Sequence, residues 1–556
     1  MPKIVECVPN FSEGRDPSII DSIVKEIKST EGVMLLDVDP GKATNRTVVT
    51  FIGSPEAVVE AAFRAIKRAS ELIDMRKQKG EHPRIGATDV VPFVPVSGVT
   101  MEECVKLAHD LGKRVGETLN IPVYLYEEAA TQPERRNLAE IRKGEYEALP
   151  ERLKDPNWKP DYGPAKFNPQ AGATVIGARE FLIAYNINLN TRDRKLAQEI
   201  ALNLRESGRA KRDESGKIIR NPDGSAVKVP GRLKALKGVG WYIEEYGIAQ
   251  VSYNLTNYKI TPPHLVFEES QKEAEKLGLR VTGSELVGLI PLDALKQAGR
   301  YFLEKQGKTG GVPEEEIIHI AVKSLGLDEL SPFDPMQKVI EYRFQERFGP
   351  LSKMAVWQFA NELSMESPTP GGGSTAALAG ALAASLVSMV ANLTYGNKKY
   401  RANWEAMKPL AVQAQELKDA LLKAVDRDTE AFDAVMNAFR LPKKTDEDRK
   451  VRNRAIQEAT KGATTIPLEV MQLAFETLKL TKRVAELGNV NSISDSGVAG
   501  LLGLSAVEGA HLNVRINLSG IDDESFVKET KETSEKILLQ ARDLKEAISN
   551  IVAEKM

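Results

Sequence analysis

The apolar residues of this chain change their period once, between residues 343 and 350. Ahead of that point, short runs that alternate apolar and polar residues trade places with segments of helical period. Beyond it, the helical period continues to residue 556 with few clusters of β-branched residues. Mixed strands and helices bury their apolar faces as helix-covered sheets, whereas helices alone must bury theirs against one another. The expected fold is multidomain: two α/β sheet subdomains of βαββαβ type facing each other, followed by an all-α helical bundle. The boundaries are expected at 1–181 and 182–342 for the two subdomains, 343–350 for a linker and 351–556 for the bundle.

In the first subdomain strands are expected at 3–10, 33–38, 46–53, 88–96 and 121–126, and a helix at 17–29. Ser54 and Pro55 supply an N-cap and a first helical residue for a second helix. Thr100 and Glu103 have the spacing of a capping box for a third. The second subdomain repeats the order, with strands at 181–187, twice within 239–258, and at 285–290. Its helices are expected at 192–205, 264–277 and 293–305. RIGATDVVPFVPV (84–96) aligns with RVTGSELVGLIPL (280–292), which points to a duplication. Facing sheets of this kind leave a cleft between them, a natural ligand site. Residues 207–230, polar and rich in Gly, Pro, Asp and Lys, read as a long mobile loop, either a lid or an inert excursion.

Composition narrows the class. The 76 Lys and Arg nearly cancel the 78 Asp and Glu, which argues against a general nucleic-acid binder. Cys7 and Cys104 are too few for a disulfide framework or a cysteine metal site, so a reducing, cytoplasmic setting without a bound metal is expected. MPKIVECVPN lacks the basic and apolar regions of a signal peptide. The uncharged stretch 374–393 is long enough to cross a bilayer. Its alanines and glycines read instead as a buried, closely packed helix.

The chain has five histidines. His82 lies in KGEHPRIGATDVVPFVPV, between Glu81 and Pro83, on a stiff turn that opens a strand. Imidazole there can shuttle a proton near neutral pH. His109, His264, His319 and His511 have no comparable setting. Asp37 and Asp39 fall at a strand end, with Asn45 and Arg46 opening the next strand, a cluster that lines sites or forms ordinary Asx turns. Two glycine-containing stretches let backbone approach a ligand. One is Gly163-Pro164-Ala165-Lys166-Phe167-Asn168-Pro169-Gln170-Ala171-Gly172, and the other is Gly231-Arg232-Leu233-Lys234-Ala235-Leu236-Lys237-Gly238-Val239-Gly240. Their lysines and arginine can pair with carboxylates. In the helical part, SPTPGGGSTAALAGALAASL (367–386) leads three glycines and a serine into a helix, where free N–H groups favour an anion. An apolar seam at Leu421, Val425, Phe432, Val435 and Phe439 takes Asp428 as a member and leaves Asp426 on another face. A carboxylate in such a seam is raised toward the range of a useful base. Asp495, Asn513, Arg515 and Asn517 are further polar candidates.

These segments closely resemble the formiminotransferase-cyclodeaminase family. The resemblance runs through VECVPNFSEGR, LLDVDPGKATNRTV, KGEHPRIGATDVVPFVPV, GATVIGAREFLIAYNINL, GRLKALKGVGW, SPTPGGGSTAALAGALAASL, the VDRD stretch and SDSGVAG. It implies a bifunctional folate enzyme of histidine degradation, with formiminoglutamate and tetrahydrofolate (a polyglutamate co-substrate) as its partners. The formimino group would pass to N5 of tetrahydrofolate, and ring closure would then give 5,10-methenyltetrahydrofolate and ammonia. On this resemblance His82 is the transferase histidine and Asp428 the cyclodeaminase acid/base. Residues 163–172 and 231–240 would be its folate-binding stretches. Beside the resemblance, Asp39, Arg84 and Asp495 are further candidate substrate contacts. The resemblance also implies a ring-like homo-oligomer, an octamer being one such form, with no membrane insertion. Rival readings are a formiminotransferase fused to a methenyltetrahydrofolate cyclohydrolase-like domain, and a folate-binding scaffold.

Overall fold

A computed structural model describes residues 3–556, apart from 43, 81, 223 and 345. Two compact units emerge. One comprises residues up to 294 together with 325–344, and the other comprises 295–324 together with 346–556.

The first unit opens with β1 (Ile4–Cys7), β2 (Asn10–Phe11), α1 (Pro17–Lys28), β3 (Val33–Gly41), β4 (Arg46–Gly53), α2 (Pro55–Leu72) and β5 (Thr88–Ser97). The side chains of Asp16 and Ser54 cap α1 and α2, and each helix places a proline at its start. Antiparallel pairing sets β1 between β4 and β5, with β3 outside β4. This is the βαββαβ order with the fourth strand beside the first. Next come α3 (Met101–Leu119), β6 (Val123–Glu127) and β7 (Thr174–Ala178). The Thr100–Glu103 capping box forms as expected. β7 has no counterpart among the expected strands. It runs parallel between β5 and β6, so β6 reaches the sheet only through it.

The second subdomain repeats the topology. Its elements are β8 (Ile183–Leu189), α4 (Arg194–Leu204), β9 (Arg209–Ala210), β10 (Lys228–Val229), β11 (Leu236–Ile243), β12 (Ile248–Leu255), α5 (Pro263–Lys276) and β13 (Val281–Val287). Its sheet order is β11-β12-β8-β13, antiparallel throughout. The aligned stretches 84–96 and 280–292 thus contribute the fourth strands, β5 and β13, of two like units.

The 207–230 segment is more ordered than a mobile loop. Lys211, Ile219 and Val227 close a ring of backbone hydrogen bonds, each 2.7–2.9 Å. Two turns eight residues apart repeat one geometry, with Arg212 and Arg220 donating to the carbonyls of Gly216 and Gly224. Both glycines have a φ near +80°, which an L side chain rarely adopts.

The second unit contains α6 (Leu292–Lys305) from residue 295, α7 (Glu314–Leu325) to residue 324, α8 (Val356–Leu363), α9 (Gly372–Tyr395), α10 (Trp404–Arg440), α11 (Asp446–Leu487), α12 (Ile493–Leu518) and α13 (Glu524–Lys555). Residues 295–324, read from element order as part of 182–342, pack with these helices. Gly311 abuts Ala411, and its carbonyl accepts hydrogen bonds from Ser388 and Asn392. α9 is long and apolar enough to cross a membrane, and here it packs against α10, α11 and α12. Glycines set the close spacing: a Cβ on Gly380 would meet Leu421 at 3.0 Å, and one on Gly503 would meet Leu478 at 2.9 Å.

Candidate active sites

In the first sheet Val5, Cys7, Val49 and Phe51 point into the core beneath α1 and α2. Strand alternation puts Glu6, Asp39 and Arg46 on the opposite face. His82 meets this face at its edge. Asn45, in the left-handed region at φ 48°, ties the β3–β4 turn to the segment before His82. Its side chain accepts from Gly14 N–H and donates to the Lys79 carbonyl, while Gln78 donates to the Asn45 carbonyl. Gly80 fits because a Cβ there would fall 2.1 Å from the Thr44 carbonyl oxygen. Backbone packing thereby brings Arg46 to His82.

The imidazole is half-buried. Its Nδ1 lies 2.7 Å from the Pro83 carbonyl, an acceptor, so the proton sits on Nδ1. Nε2 then holds the lone pair and accepts from Arg46 Nη1. Burial, with Arg46 and Arg142 nearby, pushes the imidazole pKa down to about 4. Asp89 acts in the opposite sense but is committed to Arg142 and to the Ile85 N–H. Glu81 lies outside the described residues.

The 163–172 stretch adjoins this turn. Gly86 and Gly172 form a bridge, and Ala87 N–H donates to the Ala171 carbonyl at 2.8 Å. Asn168 accepts from the N–H groups of Gln170 and Ala171, which leaves Lys166 on an exposed turn. In the 231–240 stretch a Cβ on Gly231 would fall 2.1 Å from the Arg205 carbonyl oxygen just after α4, and one on Gly240 would fall 2.0 Å from the Gln198 nitrogen within it, so these two glycines allow close packing on α4 and its end. Arg232 is paired with Glu269 and Glu273. Lys237, on the exposed face of β11, interacts with Glu127 across the unit. Arg84 is spent internally: it is 7% exposed and donates to Gln78, Glu145 and Glu147. Asp39 stands within electrostatic reach of Arg46, Lys338 and Glu285, and burial together with neighbouring Asp37 raises its pKa.

In the helical unit, a cleft of about 530 Å³ is lined by the 367–372 turn and by Thr375, Ala376, Ala379, Ser505 and Gly509. Asp428 sits behind its rim. The Ser374 hydroxyl donates to Asp428 Oδ2 at 3.2 Å and to the Val425 carbonyl at 2.8 Å. Gly373 packs on the carboxyl, where a Cβ would fall 2.1 Å from Oδ1. Burial raises the Asp428 pKa, with the Ser374 hydroxyl and N–H opposing it. The apolar seam around this aspartate is only partly buried. Leu421 and Val425 are buried, but Phe439 is 48% exposed, and Asp426, assigned to another face, is 6% exposed. Asp426 accepts from the N–H groups of Leu351 and Ser352, so it anchors the turn after the linker. Asn513 borders Gly372. Asp495, eighteen residues earlier on α12, is about 27 Å away along the helix axis and is not brought to this site.

Fold and geometry set out two separate clusters of buried titratable side chains, one around His82 on an α/β double unit and one around Asp428 in a helical bundle. Comparison with known proteins identifies the family. The profile described as "Formiminotransferase domain, N-terminal subdomain" matches residues 4–179, "Formiminotransferase domain" matches 184–345 and "Formiminotransferase-cyclodeaminase" matches 355–536. The Rattus norvegicus formimidoyltransferase-cyclodeaminase is 46% identical over 545 residues, covering 98% of this chain and 97% of its own length. Streptococcus pyogenes glutamate formimidoyltransferase is 43% identical over 304 residues, 55% of this chain and 94% of its own length. A Methylorubrum extorquens methenyltetrahydrofolate cyclohydrolase is 43% identical over 198 residues, 36% of this chain and 95% of its own length. The chain belongs to the formimidoyltransferase-cyclodeaminase family, and both halves of the family's architecture are present.

Sequence reasoning missed Arg142 and Asp89 as neighbours of His82, and Ser374 as the hydrogen-bond partner of Asp428. Arg142 and Ser374 meet their partners through long-range packing, so local spacing carries no trace of them, whereas Asp89, seven residues on from His82, could have been noticed on the strand that follows.

Proposed function

We propose that the chain transfers the formimino group of formiminoglutamate to N5 of tetrahydrofolate at His82 and closes the product at Asp428. The carrying observation is that the two groups are arranged for bases. His82 is neutral with its lone pair on Nε2, and Asp428 is raised above ordinary carboxylates while keeping one hydroxyl donor.

In the first reaction N5 attacks the amidine carbon, and the proton N5 loses passes to Nε2. As the carbon–nitrogen bond to glutamate breaks, the same proton goes to the departing nitrogen. Residues 163–172, beside the His82 turn, support folate binding. In the second reaction N10 attacks the formimino carbon and Asp428 takes the N10 proton. That proton is returned to the leaving nitrogen, which departs as ammonia. Tetrahydrofolate is the co-substrate of the first step and its 5-formimino derivative the substrate of the second, and no metal is required by this chemistry.

The cyclohydrolase relative favours one further reading, in which the helical unit acts on the methenyl compound by adding water. Ammonia separates the two. Purified protein is mixed with formiminoglutamate and tetrahydrofolate, and glutamate, ammonia and the near-ultraviolet absorbance of the methenyl product are followed. Wild type should release glutamate and ammonia, His82→Ala neither, and Asp428→Asn glutamate alone. Glutamate without ammonia in the wild type refutes the cyclodeaminase assignment, and release of neither refutes the enzyme.

A further inference from the structure

Arg46 is the unexplained group at the transferase site. Its Nη1 donates to the one lone pair of His82 that is free to accept a proton. Among the described residues its Nε, shut off from solvent, has no hydrogen-bond partner. Among the described residues no carboxylate lies within ion-pair distance of it: Asp89 is held by Arg142, and Asp39 acts only at longer range. Burial weakens this uncompensated cation further, lowering its pKa to about 10. A guanidinium with an unused buried donor and an imidazole as its main partner is poised to exchange that partner for a carboxylate, which its planar fork matches far better.

We propose that Arg46 is a positioning residue that receives a carboxylate of the formimino donor, and that its move to that carboxylate uncovers His82 Nε2. This rests on the reading of His82 as the transferase base. In the ligand-free chain the lone pair is capped, so His82 cannot accept a proton. A substrate carboxylate draws the guanidinium away and neutralises its charge toward the ring. The base is thus armed only when the group it serves is bound. Among the described residues the charged groups facing His82 are Arg46 from β4, Asp89 from β5 and Arg142 from the turn after residues 138–141. Of these, Arg46 lies in direct contact with the ring and has no carboxylate within ion-pair distance among the described residues.

The test is a histidine titration on the full chain. With ¹³C placed at histidine Cε1, the five histidines give five signals, and His82 is the one lost in His82→Gln. In ligand-free wild type this signal should not titrate between about pH 5 and 8. Saturating L-glutamate should raise its midpoint toward that window, short of the ordinary imidazole value of about 6.5 because burial and Arg142 still hold it down. Arg46→Met should do the same without ligand, and Arg46→Lys, which keeps the charge, should restore part of the suppression. A step near pH 6.5 in ligand-free wild type, or an unmoved signal in Arg46→Met, overturns the proposal. A shift with 5-formyltetrahydrofolate but not with glutamate overturns the assignment to the donor and places the carboxylate on the folate tail. In turnover, Arg46→Met should raise KM for formiminoglutamate roughly 10- to 100-fold, as loss of charge-assisted hydrogen bonds does. It should also move the acid limb of kcat/KM upward. The titrations need no turnover, so an inactive chain with the expected titrations refutes the transferase reading and leaves the Arg46–His82 exchange standing.

Discussion

Gly373→Ala separates the fold of the helical unit from its chemistry. The added Cβ would stand 2.1 Å from Asp428 Oδ1 and 2.5 Å from both Cγ and Oδ2. Ordinary contact needs about 3.5 Å, so the carboxyl must retreat by more than ~1 Å. That retreat is energetically cheap, because the obstructing atoms are the end of a flexible side chain. Alanine also favours a helix over glycine by up to ~1 kcal/mol, so stability should be held or slightly improved. The catalytic cost is larger. The carboxyl leaves the Ser374 hydroxyl, now 3.2 Å away, and a 1 Å misplacement of a catalytic group costs about 100-fold in rate. Single-turnover ammonia release from 5-formiminotetrahydrofolate, with glutamate release as the internal control, reads this directly. The expected result is a fall of about 100-fold in the first, no change in the second and a melting temperature at or above that of the wild type. Ammonia release within about threefold of wild type would show that Asp428 is not the base or that Gly373 does not place it.

Glu6 is 3% exposed, and burial lifts its pKa to about 7 despite Arg179 nearby. A raised folded value means that its favourable contribution is complete below the ordinary 4.5 and is lost as pH rises through about 7. Glu6→Gln should therefore raise the melting temperature at alkaline pH and leave it unchanged in acid, and the reverse pattern would refute the burial argument. His82 and His264 work with the opposite sign, because both are held near 4. Stability should fall as pH drops from 6.5 toward 4, and less steeply in the His82→Gln/His264→Gln double variant, as thermal melts across that range would show. Gly311→Ala would put a Cβ 2.3 Å from the Ala411 methyl. Overpacking of this kind costs about 1–3 kcal/mol, so calorimetry should show the helical unit melting earlier, with transferase activity intact at low temperature. Asp426→Asn should lower stability through the 349–352 turn while leaving the ammonia step within about tenfold, in contrast to Asp428→Asn.

Helix starts and strand order were legible because their causes are local. Ser54-Pro55 and the Thr100–Glu103 box cap helices through bonds spanning three residues. The two βαββαβ units followed from the alternation of period, and His82 stood out as a histidine on a proline-stiffened turn. Local sequence could not reveal β7, whose place between β5 and β6 is settled by parallel pairing across long separations. Nor could it reveal what the glycines of 231–240 abut: the end of α4 at Gly231, α4 itself at Gly240 and the Tyr253 ring at Gly238. Helical spacing put Asp428 in the seam and Asp426 on another face, but it could not show that the second face is covered as well, because a helix face is buried only where another element packs on it, and the 349–352 turn covers Asp426. The sequence by itself determined most of the elements and which side chains can exchange protons. The tertiary structure decided their electrical surroundings, bringing Arg46 to His82 across 36 residues and Ser374 to Asp428 across 54. A pKa depends on distance and burial, and neither is a property of spacing along the chain.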